Sequence, residues 1–367
     1  MVDLKKHTFV IAEAGVNHNG SLDLAMDMVE LAASAGADAV KFQTFHADQL
    51  VTPNVPKADY QVAMTGSDEG QLGMLRRLEL SEDDHRRLLV HCNQQGISFL
   101  STPFDEESVD FLTKELGLKT LKIGSGELTN GPLLLKAAET GSELIISTGM
   151  STIDEIKDAL SVVAFGYLGS RGPVNTRSFA KAYETEEARL ALKKKVTLLQ
   201  CTTEYPAPVN EINLRAMDTL RATFGLRIGF SDHTQGTAVA IAAVAVGASV
   251  LEKHFTLDRN MFGPDHKASI GPDELRSLIR DVRAADSALG AADKEPAASE
   301  KQNKVIARRR LVASSVIAKG ERFSRENMGV KRSSSGASPM SYWELLDEVA
   351  DKDYKKDEGI GAQIIRK

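Results

Sequence analysis

The sequence predicts an α/β chain, a (β/α)8 TIM barrel followed by a small C-terminal β-rich domain, on three observations. Eight short apolar runs recur between residues 7 and 255. Amphipathic or buried helical stretches separate them, and nearly every run ends in a residue able to do chemistry. Strand–helix alternation with polar groups at the carboxyl ends of the strands is how such a barrel builds an active site. At 367 residues the chain exceeds the usual single domain, which leaves room for a second one.

The runs and their polar ends follow in order. FVIAEAG carries Glu13, ADAVKFQ carries Lys41 and Gln43, ISFLSTP carries Thr102, and TLKIGSGE carries Lys122, Ser125 and Glu127. ELIISTG then offers Ser147 and Thr148, VTLLQCTTEY offers Thr203 and Tyr205, LRIGFSDH offers Ser231 and His233, and SVLEKHF offers Lys253 and His254. Between them, residues 21–35 open with Ser21, an N-cap type, and place apolar residues at helical spacing. Residues 105–116, 151–165 and 273–289 each begin with acids in the first turn, where the helix dipole favours them. Residues 46–77 are too long for a plain connection and contain Pro53, Pro56 and Gly66, so a lid or substrate-shaping loop is expected there. A second insertion, residues 167–195, ends in an exposed helix with Glu early and Lys late. The barrel is expected over 1–290, a linker rich in small and charged residues over 291–300, and the β-rich domain over 301–367, closing with an AQIIRK strand.

Composition narrows the function. Lys and Arg total 45 against 51 Asp and Glu, a net charge of −6, so there is no cationic surplus to displace counterions from nucleic acid. The longest apolar segment, 238–251, is short of the roughly 20 residues a membrane helix needs. It reads as a buried helix running into the eighth strand. Two cysteines, Cys92 and Cys201, make no disulfide framework. The expectation is a cytoplasmic protein with no nucleic-acid or membrane partner.

His233 and His254 end consecutive strands, and neighbouring strands lie about 4.8 Å apart. Two imidazoles so placed can share one divalent cation and leave positions open for water and substrate. Barrel closure brings Glu13 to the same place as a ligand, a supporting partner or an acceptor from a substrate hydroxyl. Lys41 and Lys122, ringed by Thr102, Ser125, Ser147 and Ser231, form a cradle for a small anion carrying phosphate, carboxylate or both. Glu127 follows Gly124 and Gly126 and is expected either to hold a water as general base or to pair with a lysine. Tyr205 and Asp265 offer hydrogen bonds to a polyhydroxylated substrate.

The stretches IAEAGVNHNGS, VKFQTF, STPFDEESVDFL, KIGSGEL, ISTGM, CTTEYPAP, GFSDHT, LEKHFTLD and GPDHKAS together resemble the sialic acid synthase family. The C-terminal KGERFSRENMGVKR is similar to that family's antifreeze-like domain. The resemblance implies condensation of phosphoenolpyruvate with N-acetylmannosamine, or alternatively with 2,4-diacetamido-2,4,6-trideoxymannose as in legionaminic acid synthases. It implies a divalent metal on His233 and His254, Mn2+ foremost and Mg2+ or Co2+ as alternatives. Phosphoenolpyruvate would be surrounded by Lys41, Thr102, Lys122, Ser125, Ser147 and Ser231, with Gln43 and Thr203 as further substrate-binding residues. Glu13, Tyr205 and Asp265 would lie on the sugar side. It further implies a domain-swapped homodimer in which Arg332 of the antifreeze-like domain reaches the sugar. The family's PGNG after that arginine is SSSG here, and GPDHKAS suits the sialic and legionaminic branches better than the pseudaminic one. Two other classes stay open on the residues alone: a metal-dependent aldolase or hydrolase barrel, and a non-catalytic sugar-binding protein.

Overall fold

The computed structural model describes residues 7–66, 70–169 and 172–361. The chain forms two compact units, Met1–Gly290 and Ala291–Lys367. Eight strands run parallel in the first: β1 Phe9–Gly15, β2 Ala39–Thr44, β3 Ser98–Pro103, β4 Thr120–Ile123, β5 Glu143–Ser147, β6 Val196–Cys201, β7 Arg227–Asp232 and β8 Val250–His254. Their order in the sheet is β3-β2-β1-β8-β7-β6-β5-β4, a nearly closed barrel in which the chain neighbours β3 and β4 form the two ends and pack side by side.

Strand side chains alternate between faces, and the alternation separates two cores. Val10, Ala12, Val40, Phe42, Leu144, Ile146, Leu198 and Leu251 point outward and join Met28, Val29, Leu133, Leu134 and Leu278 of the surrounding helices in one large cluster. Phe9, Ile11, Ala39, Leu100, Ile145, Leu199 and Val250 point inward and plug the barrel. Gly229 belongs to the plugged interior: a Cβ there would lie 2.4 Å from Val250 O and 2.6 Å from Leu199 Cδ2, so no larger residue fits. Two residues beyond the plug, on the same inward face, the strands turn polar.

The helices start where their caps dictate. Ser21 Oγ accepts from Leu24 N (3.4 Å), Asp105 Oδ1 accepts from Ser108 N (2.7 Å), and Thr152 and Glu155 make a reciprocal capping box. Three expectations need correction. The substrate-shaping stretch 46–77 is built, among the described residues, from short helices, Ala47–Leu50, Asp59–Thr65 and Gln71–Leu78, where a loop was expected. The helix expected over 105–116 is α-helical only at Glu106–Asp110 and continues as a π turn, Phe111–Glu115, with Thr113 Oγ1 donating to Val109 O. The apolar stretch 238–251 is helical only over Ala238–Ala245, and Gly247, at φ 94, turns the chain into β8. Residues 167–195 contain two helices, Thr176–Tyr183 and Glu186–Lys195.

The second unit opens with the helix Glu300–Ala307, which the sequence reading did not foresee. An antiparallel pair follows, β9 Arg309–Ala313 with β10 Met328–Arg332, in a register that sets Arg309 opposite Arg332. Leu311, Ile317, Phe323, Met328, Leu345, Tyr354 and Ile360 make its own small core. The expected AQIIRK strand lies outside the described residues. Among the described residues, no helix is long and apolar enough to cross a membrane.

Candidate active site

The polar layer above the barrel plug lines one cavity. Glu13, Lys41, Gln43, Thr102, Lys122, Ser125, Ser147, Thr203, Tyr205, Ser231, His233, His254 and Asp265 all border it. Strand register explains the convergence. Glu13 stands beside Lys41 on one side and His254 on the other, and Ser231 stands beside Glu252.

Glu252 was not anticipated, and it organises the floor. Its Oε1 accepts from Ser231 Oγ (2.7 Å) and lies 3.3 Å from Lys122 Nζ, while its Oε2 lies 3.7 Å from Lys41 Nζ. Lys41 Nζ in turn sits 2.7 Å from Glu13 Oε2 and donates to Thr102 Oγ1 (3.1 Å). Two ammonium groups thus meet two carboxylates, all buried. Burial opposes every one of these charges, and the neighbours decide the outcome. Burial pushes the Glu13 carboxyl up to about 7. Glu252 is equally buried, yet Lys122 and Lys41 hold it well below the usual carboxylate range. Burial pulls the Lys41 ammonium down, but Glu13 and Glu252 outweigh it and raise it; Lys122, with one near carboxylate, is lowered by burial. Lys253, which the strand-end reading had highlighted, points the other way, to Asp232 Oδ2 (2.8 Å) behind the barrel wall.

Beside Lys122 the cavity offers neutral donors. Gly149 N donates to Ser125 Oγ (3.0 Å). Among the described residues, the buried hydroxyls of Ser147 and Thr203 find no hydrogen-bond partner. Gly149 keeps this pocket open, since a Cβ there would fall 2.2 Å from Thr203 Oγ1 and 2.8 Å from Ser125 Oγ. Unsatisfied buried hydroxyls next to lysines are groups prepared for an oxygen-rich anion.

On the opposite side the rings of His233 and His254 stand 5.5 Å apart, and Tyr205 stacks on His233 at 4.2 Å. His233 Nδ1 donates to Thr202 O (2.7 Å), which leaves Nε2 as its free ligating atom. His254 Nδ1 is buried without a hydrogen-bond partner, and burial, then His233 and Lys41, hold this imidazole in its neutral form. Among the described residues, no group of three His, Cys, Asp or Glu side chains converges to hold a metal ion. The two imidazoles, 5.5 Å apart, could supply two protein nitrogens to a divalent ion whose other ligands would come from water or substrate. Asp265 is buried at the rim of this side, and burial pushes its carboxyl up to about 6.

One expected site residue of the first unit is not brought to the cavity. Glu127 follows Gly124, Ser125 and Gly126, which line it, but its own carboxylate turns to Asn130 Nδ2 (2.7 Å). Arg332 lies in the second unit, exposed at the end of β10. Several lining residues were missed besides Glu252: Cys201, whose Sγ lies 3.8 Å from His233 Nδ1, and Val16, Gln61, Met74, Leu75, Leu78, Phe104 and Pro264. The i, i+2 alternation would have found Glu252 and Cys201, because each follows an inward plug residue by two.

Residues 28–294 match the NeuB family. The chain is 48% identical over 353 residues to an N,N'-diacetyllegionaminic acid synthase of Campylobacter jejuni, covering 96% of this chain and 98% of that one. It is 44% identical over 331 residues to the protein of the same name from Legionella pneumophila, covering 90% and 87%. Among solved structures, the N-acetylneuraminic acid synthetase of Leptospira borgpetersenii, in complex with citrate, is similar with a TM-score of 0.66 at 32% identity, over 81% of this chain and 90% of that one.

Proposed function

The chain belongs to the NeuB family and is an enzyme of its synthase type, and from this premise we propose that it condenses phosphoenolpyruvate with 2,4-diacetamido-2,4,6-trideoxymannose to give N,N'-diacetyllegionaminic acid and phosphate. The observation that carries the reaction is a single cavity holding two buried lysines with unpaired hydroxyls on one side and a two-histidine pair on the other. The sugar differs from the N-acetylmannosamine favoured by sequence reading. The relatives at 48% and 44% identity are diacetyllegionaminic acid synthases, whereas the sialic acid synthetase stands at 32%.

In this reading C3 of phosphoenolpyruvate bonds to the sugar aldehyde carbon, water adds at C2, and phosphate leaves by C–O cleavage. Lys41 and Lys122 release part of their hold on Glu13 and Glu252 to meet the carboxylate and phosphate. Gln43, Thr102, Ser125, Ser147, Thr203 and Ser231 supply hydrogen bonds that fix the enol over the aldehyde. His233 and His254 would hold a divalent ion, Mn2+ foremost, and such an ion supplies Lewis-acid polarisation of the aldehyde oxygen. Three carboxylates line the cavity. Glu252 is locked between two lysines and Ser231, and Asp265 sits at the rim with Tyr205 on the sugar side. Glu13, held by one close lysine, takes the water-handling role in place of Glu127. The reading includes a cytoplasmic homodimer exchanging its small units, in which the partner's Arg332 meets the sugar.

Phosphate release from phosphoenolpyruvate, measured with each sugar, tests the reading. Release with the diacetamido sugar, abolished by EDTA and restored by Mn2+, is expected. Release with N-acetylmannosamine alone would return the enzyme to the sialic branch.

A further inference from the structure

The cavity has a second character above its charged floor. Val16, Met74, Leu78 and Phe104 line its outer side and belong to a hydrophobic cluster separate from both barrel cores. Phe45 and Ala47 complete that cluster beneath the helix Gln71–Leu78. Behind Met74, Leu78 and Pro264 lies a second cavity of about 500 Å³, which shares these three residues with the first and is otherwise lined in part by Thr65, Met261 and Phe262. Met74 and Leu78 are buried at 2% and 6% exposure, while Phe262 at the far edge is 65% exposed. Asn19 and Arg77 also border this largely apolar hollow, and a large aromatic left in water beside it has surface available for a ligand to cover.

We propose that this second cavity is the subsite for the methyl-bearing end of the acceptor sugar, and that Met74, Leu78 and Phe262 set the preference for an acylated 6-deoxy sugar. The inference rests on the sugar assigned above and extends it to named residues. The reacting aldehyde is fixed at the floor, between the lysines and the histidine pair, so the far end of the open-chain sugar projects toward the wall. In 2,4-diacetamido-2,4,6-trideoxymannose that end carries an acetamido methyl at C4 and a bare methyl at C6. In N-acetylmannosamine the same positions carry hydroxyls. Met74, unbranched and adaptable, is suited to move aside and admit the acyl group between the two cavities. The wall favours the methyls by burying them, but an apolar pocket rejects an added hydroxyl only weakly. N-acetylmannosamine is therefore expected to be a poor substrate rather than an inert one.

The test is the ratio of kcat/KM for the diacetamido sugar to that for N-acetylmannosamine, in the full-length wild type and in Phe262→Ala. Phe262 is exposed, so the substitution leaves the fold standing. The subsite requires a fall in the ratio of roughly tenfold, the scale of lost apolar contacts in a pocket, carried by the sugar KM with the phosphoenolpyruvate KM unmoved. Leu78→Gln, checked for folding by its unfolding transition, should lower the ratio further. A ratio unchanged within about twofold in both variants, in an enzyme whose wild type prefers the diacetamido sugar, overturns the subsite and leaves the reaction intact. A wild type that works only on N-acetylmannosamine overturns the sugar assignment and the subsite with it.

Discussion

The floor and the wall of the cavity are built on opposite principles. Each floor residue comes from a different strand: Glu13 from β1, Lys41 from β2, Thr102 from β3, Lys122 from β4, Glu252 from β8. The four charged members are joined by ion pairs and Thr102 accepts from Lys41, so no charged member can change without stranding another. The wall comes largely from the stretch between β2 and β3, and it rests on a small hydrophobic cluster of its own. Apolar contacts of this kind tolerate exchange as long as volume is kept. Chemistry is thereby fixed to the barrel, while the part that meets the variable end of a sugar can be altered without disturbing it.

The sharpest way to break this contrast is to make equal-shaped substitutions in both regions. Glu252→Gln keeps the volume but leaves Lys41 and Lys122 short of a carboxylate. A stability loss of about 3–5 kcal/mol is expected, with turnover reduced roughly 10²–10³-fold, read by denaturant unfolding and by phosphate release. A variant of near-normal stability and rate would show that the four charges do not act as a unit. Gly149→Ala probes the neutral side of the floor. The new methyl must displace Thr203 and Ser125, and kcat/KM for phosphoenolpyruvate should drop on the order of a hundredfold. Unchanged kinetics there would move the anion site elsewhere. Met74→Leu is the matching change in the wall and should cost under about 1.5 kcal/mol while leaving the phosphoenolpyruvate KM in place. A large loss of stability would mean the wall is as rigidly specified as the floor.

A pH-dependent effect falls on the segment joining the two regions. Glu13 belongs to the floor and Val16 to the wall, and His18 follows, buried against Phe42. Burial lowers the His18 imidazole to about 4, whereas the unfolded chain titrates near 6.5. The unfolded state therefore binds the extra proton first as pH falls. The contribution of His18 is complete above about 6.5 and is lost toward pH 4, at up to about 1.4 kcal/mol per pH unit. Unfolding curves of wild type and His18→Gln across that window should converge at low pH; parallel curves would assign the acid sensitivity to another group.

The floor was legible in the sequence because strand ends are local features and barrel geometry gathers them. The gaps are instructive. Glu252 escaped notice because the last polar residues of SVLEKHF, Lys253 and His254, drew attention, whereas period-two alternation pairs Glu252 with His254 and sends Lys253 to Asp232. Glu127 stood in the right motif, but the short 3₁₀ turn Ser125–Glu127 swings its carboxylate to Asn130. The stretch that supplies the wall was legible as substrate-shaping, but its apolar residues were not. Met74 and Leu78 look like the apolar face of any helix, and only the fold sets them against Val16, Phe45 and Phe104 from three other segments. Pro53, Pro56 and Gly66 marked breaks in 46–77 without revealing the short helices between them.

The barrel's ladder of backbone hydrogen bonds has two ends, at β3 and β4. A hoop with one unstitched joint is most compliant at that joint, where the strands pack side by side without pairing. Thr102 sits on one lip and Lys122 on the other. A small anion grasped by both acts as a clasp, and its arrival would be felt as stiffness along the whole seam, well beyond the atoms it touches.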